Sequence, residues 1–292
     1  MTDRGTTTAR SPTDDPAAGS GKVAHRPSTP REQVRGAQRL FVIVEQLSAR
    51  PMTLTEVAKS ADLPKSTALR FLRTLEEAGW VFRDRLGTYS LGAAIAGLAA
   101  QYLAGNPLVA MTTPPMRALH AKLDETISLS RRVGLARVCV QEFPSTQSLR
   151  LVLGLGELGP LHAGASGILL FAYMPEEERG RLAERGFERY TSKTIVDLKE
   201  LEAEAEKVRQ QGWAITKGQK TEGGVAIAVP ISEPGSRSEI AALGVFGPEI
   251  RCSTKREQDI WLEALVETAA EVNEATARVA SPAADRARPA GA

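Results

Sequence analysis

The chain has 292 residues, of which 42% are hydrophobic and 25% charged, and its formal net charge is +2. This composition is typical of a globular protein with one or two domains, and it excludes a polycation that would bind nucleic acid over its whole surface. The two cysteines are too few for a disulfide framework and the three histidines form no cluster at metal-ligand spacing, so we expect neither a metal nor a cofactor.

Both ends of the chain have the composition of disordered tails. Residues 1–32 are rich in Thr, Ser, Pro, Gly and Ala, and residues 281–292 read SPAADRARPAGA. Between them no apolar run reaches the length that crosses a bilayer, and the N-terminus lacks the apolar core of a secretory signal. We therefore expect a cytoplasmic protein with no membrane partner.

The first predicted helix runs from Val34 to Leu47. Apolar residues recur there three or four positions apart, as they do on the buried face of an amphipathic helix. The residues predicted to face the core are Ala37, Leu40, Phe41, Val44 and Leu47. Pro51 ends the pattern, because a proline cannot continue a helix.

Two more helices are predicted in quick succession. Thr53 and Glu56 have the spacing of a capping box, which predicts a short helix from Leu54 to Ala61. Pro64 fits the first turn of the next helix, where its missing N–H costs nothing. Gly79 then stops that helix, so the three helices are separated by short turns.

The third helix has two chemically different faces. The apolar residues Ala68, Leu69, Leu72 and Leu75 form its inner face. Its outer face carries hydroxyls and cations, namely Lys65, Ser66, Thr67, Arg70, Arg73 and Thr74. Helix N-termini and hydroxyls bind phosphates, and arginine reaches base edges in the major groove, so this face is a candidate DNA-binding surface. The alternative is that these are ordinary solvated charges on a surface helix.

A two-stranded ribbon is predicted after the third helix. The sequences WVFRD and TYSL have the character of short strands, joined by a tight turn at 85–87. Arg83 and Arg85 on this ribbon would contact the flanking DNA backbone. Helix, helix, short turn, helix and ribbon, in this order, predict a winged helix-turn-helix domain at residues 33–92.

Several short motifs lie along this domain at fixed spacing. They are LTEVA (54–58), LPKST (63–67), Arg70, Leu72, TLE (74–76), Gly79 and YSLG (89–92). In these motifs the segment resembles the DNA-binding half of the IclR family of bacterial transcription regulators. The resemblance implies that double-stranded operator DNA is the partner of this domain.

A segment without charged residues follows the ribbon. Residues 92–105 read GAAIAGLAAQYLAG, and a surface helix this apolar needs a partner. We interpret residues 93–110 as a linker helix that pairs with its copy in a homodimer. The alternative is a helix that packs on its own domain, and the resemblance admits homotetramers as well as homodimers.

The remaining residues, 111–280, predict an antiparallel sheet flanked by helices. Pro107, Pro114 and Pro115 mark the boundary, and a helix follows over Met116–Leu123. Strands are predicted at 126–133, 136–143, 148–153, 213–216, 225–231 and 240–247. Further helices are predicted from about residue 164, across 197–212 and over 253–279. The fold class is therefore α+β, with a sensor-like second domain.

The second domain carries a looser set of matching segments. They are PLHAGASGILLFAYMPEEE, RYTSKTI, VRQQGWAI, EGGVAIAVPI and FGP. They resemble the effector-binding domain of the same family, which is GAF-like. The chain departs from the family at Ile168, where a lysine or arginine is usual, and at 216–218, where acidic residues are common.

A candidate ligand pocket lies where AGASG begins a helix. Free backbone N–H groups and the positive end of the helix dipole suit an anion such as a carboxylate, and Ser166 adds a hydroxyl. The resemblance places effector contacts at Leu161, Ala163, Gly164, Ala165, Thr216, Gly224, Ala226, Gly244 and Phe246. Their small or apolar side chains predict a roomy cavity of low polarity for a carboxylate or an aromatic compound. The alternative is that these residues only permit tight helix-on-sheet packing.

Three functions are compatible with these features. The first is a ligand-responsive transcription regulator, repressor or activator, in which the ligand changes how a dimer binds its operator. The second is an enzyme, or a small-molecule-binding domain, that a winged helix tethers to DNA. The third is an architectural DNA-binding protein without a ligand. We favour the first and expect no enzyme activity, because the sequence has neither a G-x-S-x-G motif nor a recognisable catalytic trio.

Overall fold

The structure is a computed structural model that describes residues 30–234 and 240–280. The chain divides into two compact units, one up to Ala96 and one from Gly97 onward. The predicted tails lie outside the described residues, except that the first helix already begins at Pro30.

The first unit has the elements of a winged helix-turn-helix domain. They are α1 (Pro30–Ala49), β1 (Met52–Thr53), α2 (Leu54–Ser60), α3 (Lys65–Glu77), β2 (Val81–Arg83) and β3 (Thr88–Leu91). The strands form an antiparallel sheet in the order β1-β3-β2. The unpredicted β1 pairs through only two residues, Met52 with Tyr89 and Thr53 with Thr88. Ile43, Leu72 and Tyr89 are fully buried at the centre of this unit.

The buried face of α1 differs from the predicted one. Ile43 and Leu47 are buried, whereas Phe41 is 60% exposed and Ala37 is also exposed. The prediction was therefore wrong at Ala37 and Phe41. Positions 40, 43, 44 and 47 keep helical spacing around Ile43, and this row is the one that faces the core.

The second unit is a six-stranded antiparallel sheet between two layers of helices. Its helices are α4 (Ala94–Gly105, which spans the division between the units), α5 (Pro107–Leu123), α6 (Ala165–Ala172), α7 (Glu176–Glu184), α8 (Leu198–Gln211) and α9 (Lys255–Ala280). Its strands are β4 (Thr126–Val133), β5 (Ala136–Phe143), β6 (Leu158–Gly159), β7 (Ala214–Lys217), β8 (Gly224–Ser232) and β9 (Ile240–Pro248). The strand order is β6-β5-β4-β9-β8-β7. The α+β class is confirmed.

Each face of this sheet has its own core. Met116 of α5 and Leu265 of α9 pack on one face with inward residues of the central strands. Leu169 of α6 and Leu201 of α8 pack on the other face. Burial of these aliphatic side chains removes apolar area from water and holds the two helix layers on the sheet.

The prolines near residue 110 lie inside a helix and do not precede it. The helix α5 begins at Pro107, with Asn106 as its N-cap, and contains Pro114 and Pro115. Each interior proline removes one intrahelical hydrogen bond, which normally argues against a helix. The burial of Pro115 and Met116 in the core offsets this cost, so tertiary packing overrides the local signal.

The strand predicted at 148–153 is absent from the described sheet. Its place beside β5 is taken by β6, the two-residue strand Leu158–Gly159. The Glu142 carboxylate accepts hydrogen bonds from the N–H groups of Leu153 (2.6 Å) and Gly154 (3.0 Å). A side chain therefore satisfies backbone donors that a neighbouring strand would otherwise bind.

Within the described residues, no single helix has both the length and the apolar character to cross a membrane. The pair α4 and α5 passes that test only when taken together, and the two are bent by 77° at their junction.

Candidate DNA-binding surface and ligand pocket

The front of α3 is left open by the way the chain enters it. Asp62 has a φ of 50°, a left-handed conformation that makes a sharp turn after α2. The Leu63 N–H donates to the Ala58 carbonyl at 2.8 Å, which fixes this turn. Pro64 is the N-cap, and no side chain caps α3. The first N–H groups of α3 are therefore free to bind an anion.

The polar residues predicted to bind DNA share one property, because all but one are exposed. Lys65, Ser66, Arg70, Arg73, Thr74, Arg83 and Arg85 are exposed, and Thr67 is half-buried. Across residues 30–234 and 240–280, none of the five cations in this set forms an ion pair. Their charges are thus available to a polyanion.

The turn of the ribbon is built by one aspartate. Asp84 Oδ1 accepts hydrogen bonds from the N–H groups of Leu86 (2.9 Å) and Thr88 (2.8 Å). Gly87 has a φ of 83°, which favours glycine at this position. The Arg83 guanidinium lies 5.4 Å from the centroid of the buried Tyr89 ring, which orients that cation along the ribbon.

A capping box starts α2 and uses a nearby arginine. The Glu56 carboxylate accepts from the Thr53 N–H at 2.8 Å, and Arg50 lies 3.0 Å from the same carboxylate. The hydrogen bond from the Thr53 backbone, followed by those from its hydroxyl and Arg50, lowers the pKa of Glu56 to about 2. The predicted capping box is present.

The candidate ligand pocket is a cavity of about 110 Å³ at one end of the six-stranded sheet. Strand register aligns Thr216 of β7, Ala226 of β8 and Phe246 of β9 in one row beneath it. The beginning of α6 forms another side, where Gly164 is the N-cap with a φ of 82° and no side chain caps the helix. Free N–H groups at this helix end therefore adjoin the cavity.

Most of the predicted effector residues line this cavity. They are Ala163, Gly164, Ala165, Ser166, Thr216, Gly224, Ala226 and Phe246. Leu161 does not line it and is fully buried in the core beneath α6. Gly244 lies behind Ser166, because a Cβ at position 244 would be 3.0 Å from the Ser166 Oγ.

Sequence reasoning missed several polar residues of the cavity, of which two are charged. Arg137 of β5 lines it, as do Gln219 and Lys220 in the turn between β7 and β8. The cavity is therefore more polar than the small predicted residues implied. A signal for Arg137 was present, because it lies two positions before the buried Cys139 and so on the same face of the strand.

Arg137 is buried without a partner for part of its guanidinium. The residue is 3% exposed, and its Nη1 has no hydrogen-bond partner among the described residues. Gly159 makes room for it, since a Cβ there would lie 2.6 Å from the guanidinium carbon. Burial lowers the pKa of Arg137 below its ordinary value.

Lys220 is the second cation of the cavity. Desolvation, followed by the charge of Arg137, lowers the pKa of Lys220 below its ordinary value. Its Nζ lies 3.3 Å from the centroid of the Tyr190 ring. Throughout the described part of the chain, no carboxylate lies within 4.0 Å of the nitrogens of either cation. Two like charges thus share this cavity.

Threonine hydroxyls hold the turn that carries Lys220. The Thr191 hydroxyl donates to the Gly218 carbonyl at 2.6 Å, and the Thr194 hydroxyl donates to the Gln219 carbonyl at 2.7 Å. Both threonines are buried, so the turn is fixed in place before any ligand binds.

The other chemically reactive side chains do not line this cavity. His162 is buried, and its Nε2 lies 2.9 Å from the Glu188 carbonyl oxygen, which gives it a structural partner. Cys139 and Cys252 are both buried, and burial raises the pKa of each thiol to about 12. No group of three metal-ligating side chains occurs among the residues the structure describes.

Two family models match the chain, one on each unit. The IclR helix-turn-helix domain matches residues 36–85, and the bacterial transcriptional regulator IclR C-terminal domain matches residues 100–274. Together they span both candidate sites.

Individual relatives agree with these matches. The HTH-type transcriptional repressor AllR of Salmonella typhi is 28% identical over 240 residues, which cover 81% of this chain and 88% of the relative. An IclR transcriptional regulator from Alicyclobacillus acidocaldarius has a crystal structure that superposes with a TM-score of 0.70. That match has 25% identity and covers 85% of this chain and all of the other.

A further solved structure carries a ligand. It is an IclR homologue from Microbacterium hydrocarbonoxydans in complex with 4-hydroxybenzoate, with a TM-score of 0.64 and 22% identity. The match covers 82% of this chain and 99% of that protein. At this identity the likeness shows a shared fold.

Proposed function

The chain belongs to the IclR family of bacterial transcriptional regulators, and from that premise we propose that it binds operator DNA as a homodimer whose affinity an effector controls. The chain is a DNA-binding regulator with a C-terminal effector domain. We propose the homodimer, the residues that contact DNA, and the change of DNA affinity on effector binding.

One observation carries the DNA-binding part of this proposal. Five cations on the front of α3 and on the ribbon are exposed, and none of them is paired with an acid of the described residues. We propose that Arg70 and Arg73 reach base edges while Lys65, Arg83 and Arg85 contact phosphates. The hydroxyls of Ser66, Thr67 and Thr74 would add phosphate contacts at the helix front.

The linker helix α4 supports self-association. It contains no charged side chain, and none of its residues is buried within one chain. Leu98 and Tyr102 are 52% and 43% exposed on it. Pairing of α4 with its copy would cover this apolar surface, and two such dimers could form a tetramer. Both states fit a protein that works on DNA in the cytoplasm.

The cavity beside α6 is the proposed effector site. It combines free helix N–H groups with the Ser166 side chain and an apolar floor at Ala226 and Phe246. The Microbacterium homologue binds 4-hydroxybenzoate, a carboxylate on an aromatic ring, which favours the same general class of ligand here. The Salmonella relative is named a repressor, and we propose repression as the sign of regulation.

We also propose that the second unit binds its ligand without converting it. Ser166, Thr216 and Thr221 line the cavity, but within the described residues none of their hydroxyls is hydrogen-bonded to a histidine or carboxylate that could activate it. NMR spectra of a bound ligand should therefore stay unchanged during incubation. Turnover would favour the alternative of an enzyme tethered to DNA.

A titration of the full chain against DNA from upstream of its own gene tests the main proposal. Binding should saturate, protect a pseudo-palindromic site and weaken linearly on a log–log plot as salt rises. A small carboxylate that alters this affinity would identify the effector class. Binding that neither saturates nor protects a defined site would contradict a sequence-specific regulator.

A further inference from the structure

The cavity beside α6 holds more positive charge than its fold requires. Arg137 is 3% exposed with its Nη1 unpartnered, and Lys220 shares the same cavity without an acid within ion-pairing distance among the described residues. Neither cation stabilises the empty protein through an ion pair. A buried charge without a partner lowers the stability of the fold, so we expect such a residue where it serves to bind a ligand.

Nearby acids are committed elsewhere or remain in solvent. The Glu142 carboxylate accepts the N–H groups of Leu153 and Gly154, and Glu188 accepts the Tyr190 hydroxyl at 2.8 Å. The exposed Glu157 is not within ion-pairing distance of either cation. The cavity therefore keeps two positive charges and the positive end of α6 facing the same space.

A second orphan group faces the cavity. Gln219 lines it, and its Oε1 is buried without a hydrogen-bond partner in the described part of the chain. Thr191 and Thr194 hold the backbone of the turn that bears Gln219 and Lys220, so both residues start from a fixed position beside the cavity. The unpaired donor Arg137 Nη1 suits an anion, whereas the Gln219 Oε1 acceptor needs a separate donor such as a water or a hydroxyl of the ligand.

We propose that the effector is a small dianion, whose acid groups bind the Arg137 guanidinium, the Lys220 ammonium and the free N–H groups at the start of α6. This inference rests on the proposed function of the same cavity as the effector site. A monoanion would neutralise one cation and leave the other unpaired, whereas a dianion neutralises both. The volume of about 110 Å³ favours a compact molecule.

Matched pairs of probes test the charge requirement on the full chain. Succinate and succinamate have nearly the same shape but differ by one negative charge, as do phthalate and its monoamide. Calorimetry and thermal shift should give at least a tenfold lower Kd for the dianion of a pair. Equal affinities, tighter binding of the monoanion, or no measurable binding of either dianion would overturn the proposal.

Substitutions assign the effect to the two cations. Arg137→Gln and Lys220→Gln should each weaken the favoured dianion by roughly ten- to a hundredfold, as expected when a charged hydrogen bond is lost. Lys217→Gln is the matched control, because Lys217 is exposed on β7 outside the cavity. A variant of Lys220 that binds the dianion as well as the Lys217 control does would contradict the assignment.

The ligand-free variants give a readout that is independent of the probe. Lys220→Gln loses the contact with the Tyr190 ring but removes one of two like charges that lack an ion-pair partner, and because we expect the second effect to dominate, its melting temperature should rise by about 2–4 °C relative to the unmodified chain. A lower melting temperature would mean that Lys220 stabilises the empty protein, and the argument from unpaired charge would fail.

Measurements of operator binding show whether the dianion proposal alone is wrong or the proposed function as well. If 4-hydroxybenzoate or succinamate changes operator affinity while no dianion binds, the chain is a ligand-responsive regulator but its effector is not a dianion. If the chain protects no operator under any condition, the proposed function itself fails.

Discussion

The two units both present cations without acid partners, but they do so in opposite surroundings. On α3 and the ribbon, cations such as Arg70 and Arg73 are exposed, and water screens them at little cost. In the cavity, Arg137 is buried and Lys220 is partly buried, so both are poorly solvated. An exposed set suits a long polyanion that arrives from solvent, whereas an enclosed pair suits one small ion.

A third cation of the second unit shows what a paired charge looks like in this fold. Arg251 donates to the buried Glu125 carboxylate through its Nε and, at 2.7 Å, through its Nη2. This bidentate contact raises the pKa of Arg251 above its ordinary value. Arg251 is therefore a paired, structural charge, whereas the Nη1 of the buried Arg137 has no hydrogen-bond partner among the described residues.

The largest expected effect comes from breaking the structural pair. Arg251→Ala should lower the free energy of unfolding by about 3 kcal/mol, because it leaves Glu125 buried and unpaired. Chemical denaturation of this variant and of Arg256→Ala, an exposed arginine in α9, gives the comparison. Equal free energies of unfolding for the two variants would show that the Arg251–Glu125 pair does not stabilise the fold.

The next effect concerns DNA. Arg70→Ala and Arg73→Ala should each cost about 1–3 kcal/mol of operator affinity, or roughly 5- to 150-fold in Kd, if the side chains read bases. Because both residues are exposed, their melting temperatures should stay close to that of the unmodified chain. Anisotropy titrations at fixed salt measure the loss, with Arg256→Ala as the control. Unchanged operator affinity in both variants would contradict the proposal that α3 contacts DNA bases.

The smallest expected effect concerns the start of α2, where the Glu56 carboxylate binds residues of its own capping box. Thr53→Ala removes the hydroxyl that donates to Glu56, one of the hydrogen bonds that lower the pKa of Glu56 to about 2, and keeps the larger one from the backbone N–H. A depressed carboxylate pKa stabilises the fold above its ordinary value of 4.5, and this contribution disappears as pH falls toward 2. The melting temperature of the variant should therefore be lower at pH 7, and the difference should shrink below pH 4.5. A constant difference would show that Glu56 is not the linked group.

The sequence predicted the first unit better than the second because its signals are local. The capping box at Thr53, the proline at the front of α3 and the glycine in the ribbon turn each specify their own neighbourhood. Ala37 and Phe41 were wrongly predicted to be buried, and the two-residue β1 was not predicted, because packing against the rest of the unit decides both the buried row of α1 and the pairing of β1.

The second unit depends on contacts between distant parts of the chain. Glu142 replaces a strand partner for residues 153–154, and the core around Met116 outweighs two prolines in α5. Arg137 of β5 and Lys220 of the β7–β8 turn line one cavity although they are far apart in the sequence. Neither local propensity nor periodicity shows which distant residues come together. The apolar residues Ala226 and Phe246 of the cavity were therefore predicted, whereas its charged residues were not.

The burial of Cys139 and Cys252 limits the kinds of signal that this regulator can receive. With thiol pKa values of about 12, both sulfurs stay protonated near neutral pH and are poor nucleophiles toward peroxides or alkylating agents. Oxidative stress would therefore leave these residues unmodified while the protein remains folded. Thiol chemistry at these two positions is therefore a poor route for a signal, whereas the reversible binding of an effector, as proposed above, would let the response end once the metabolite is consumed.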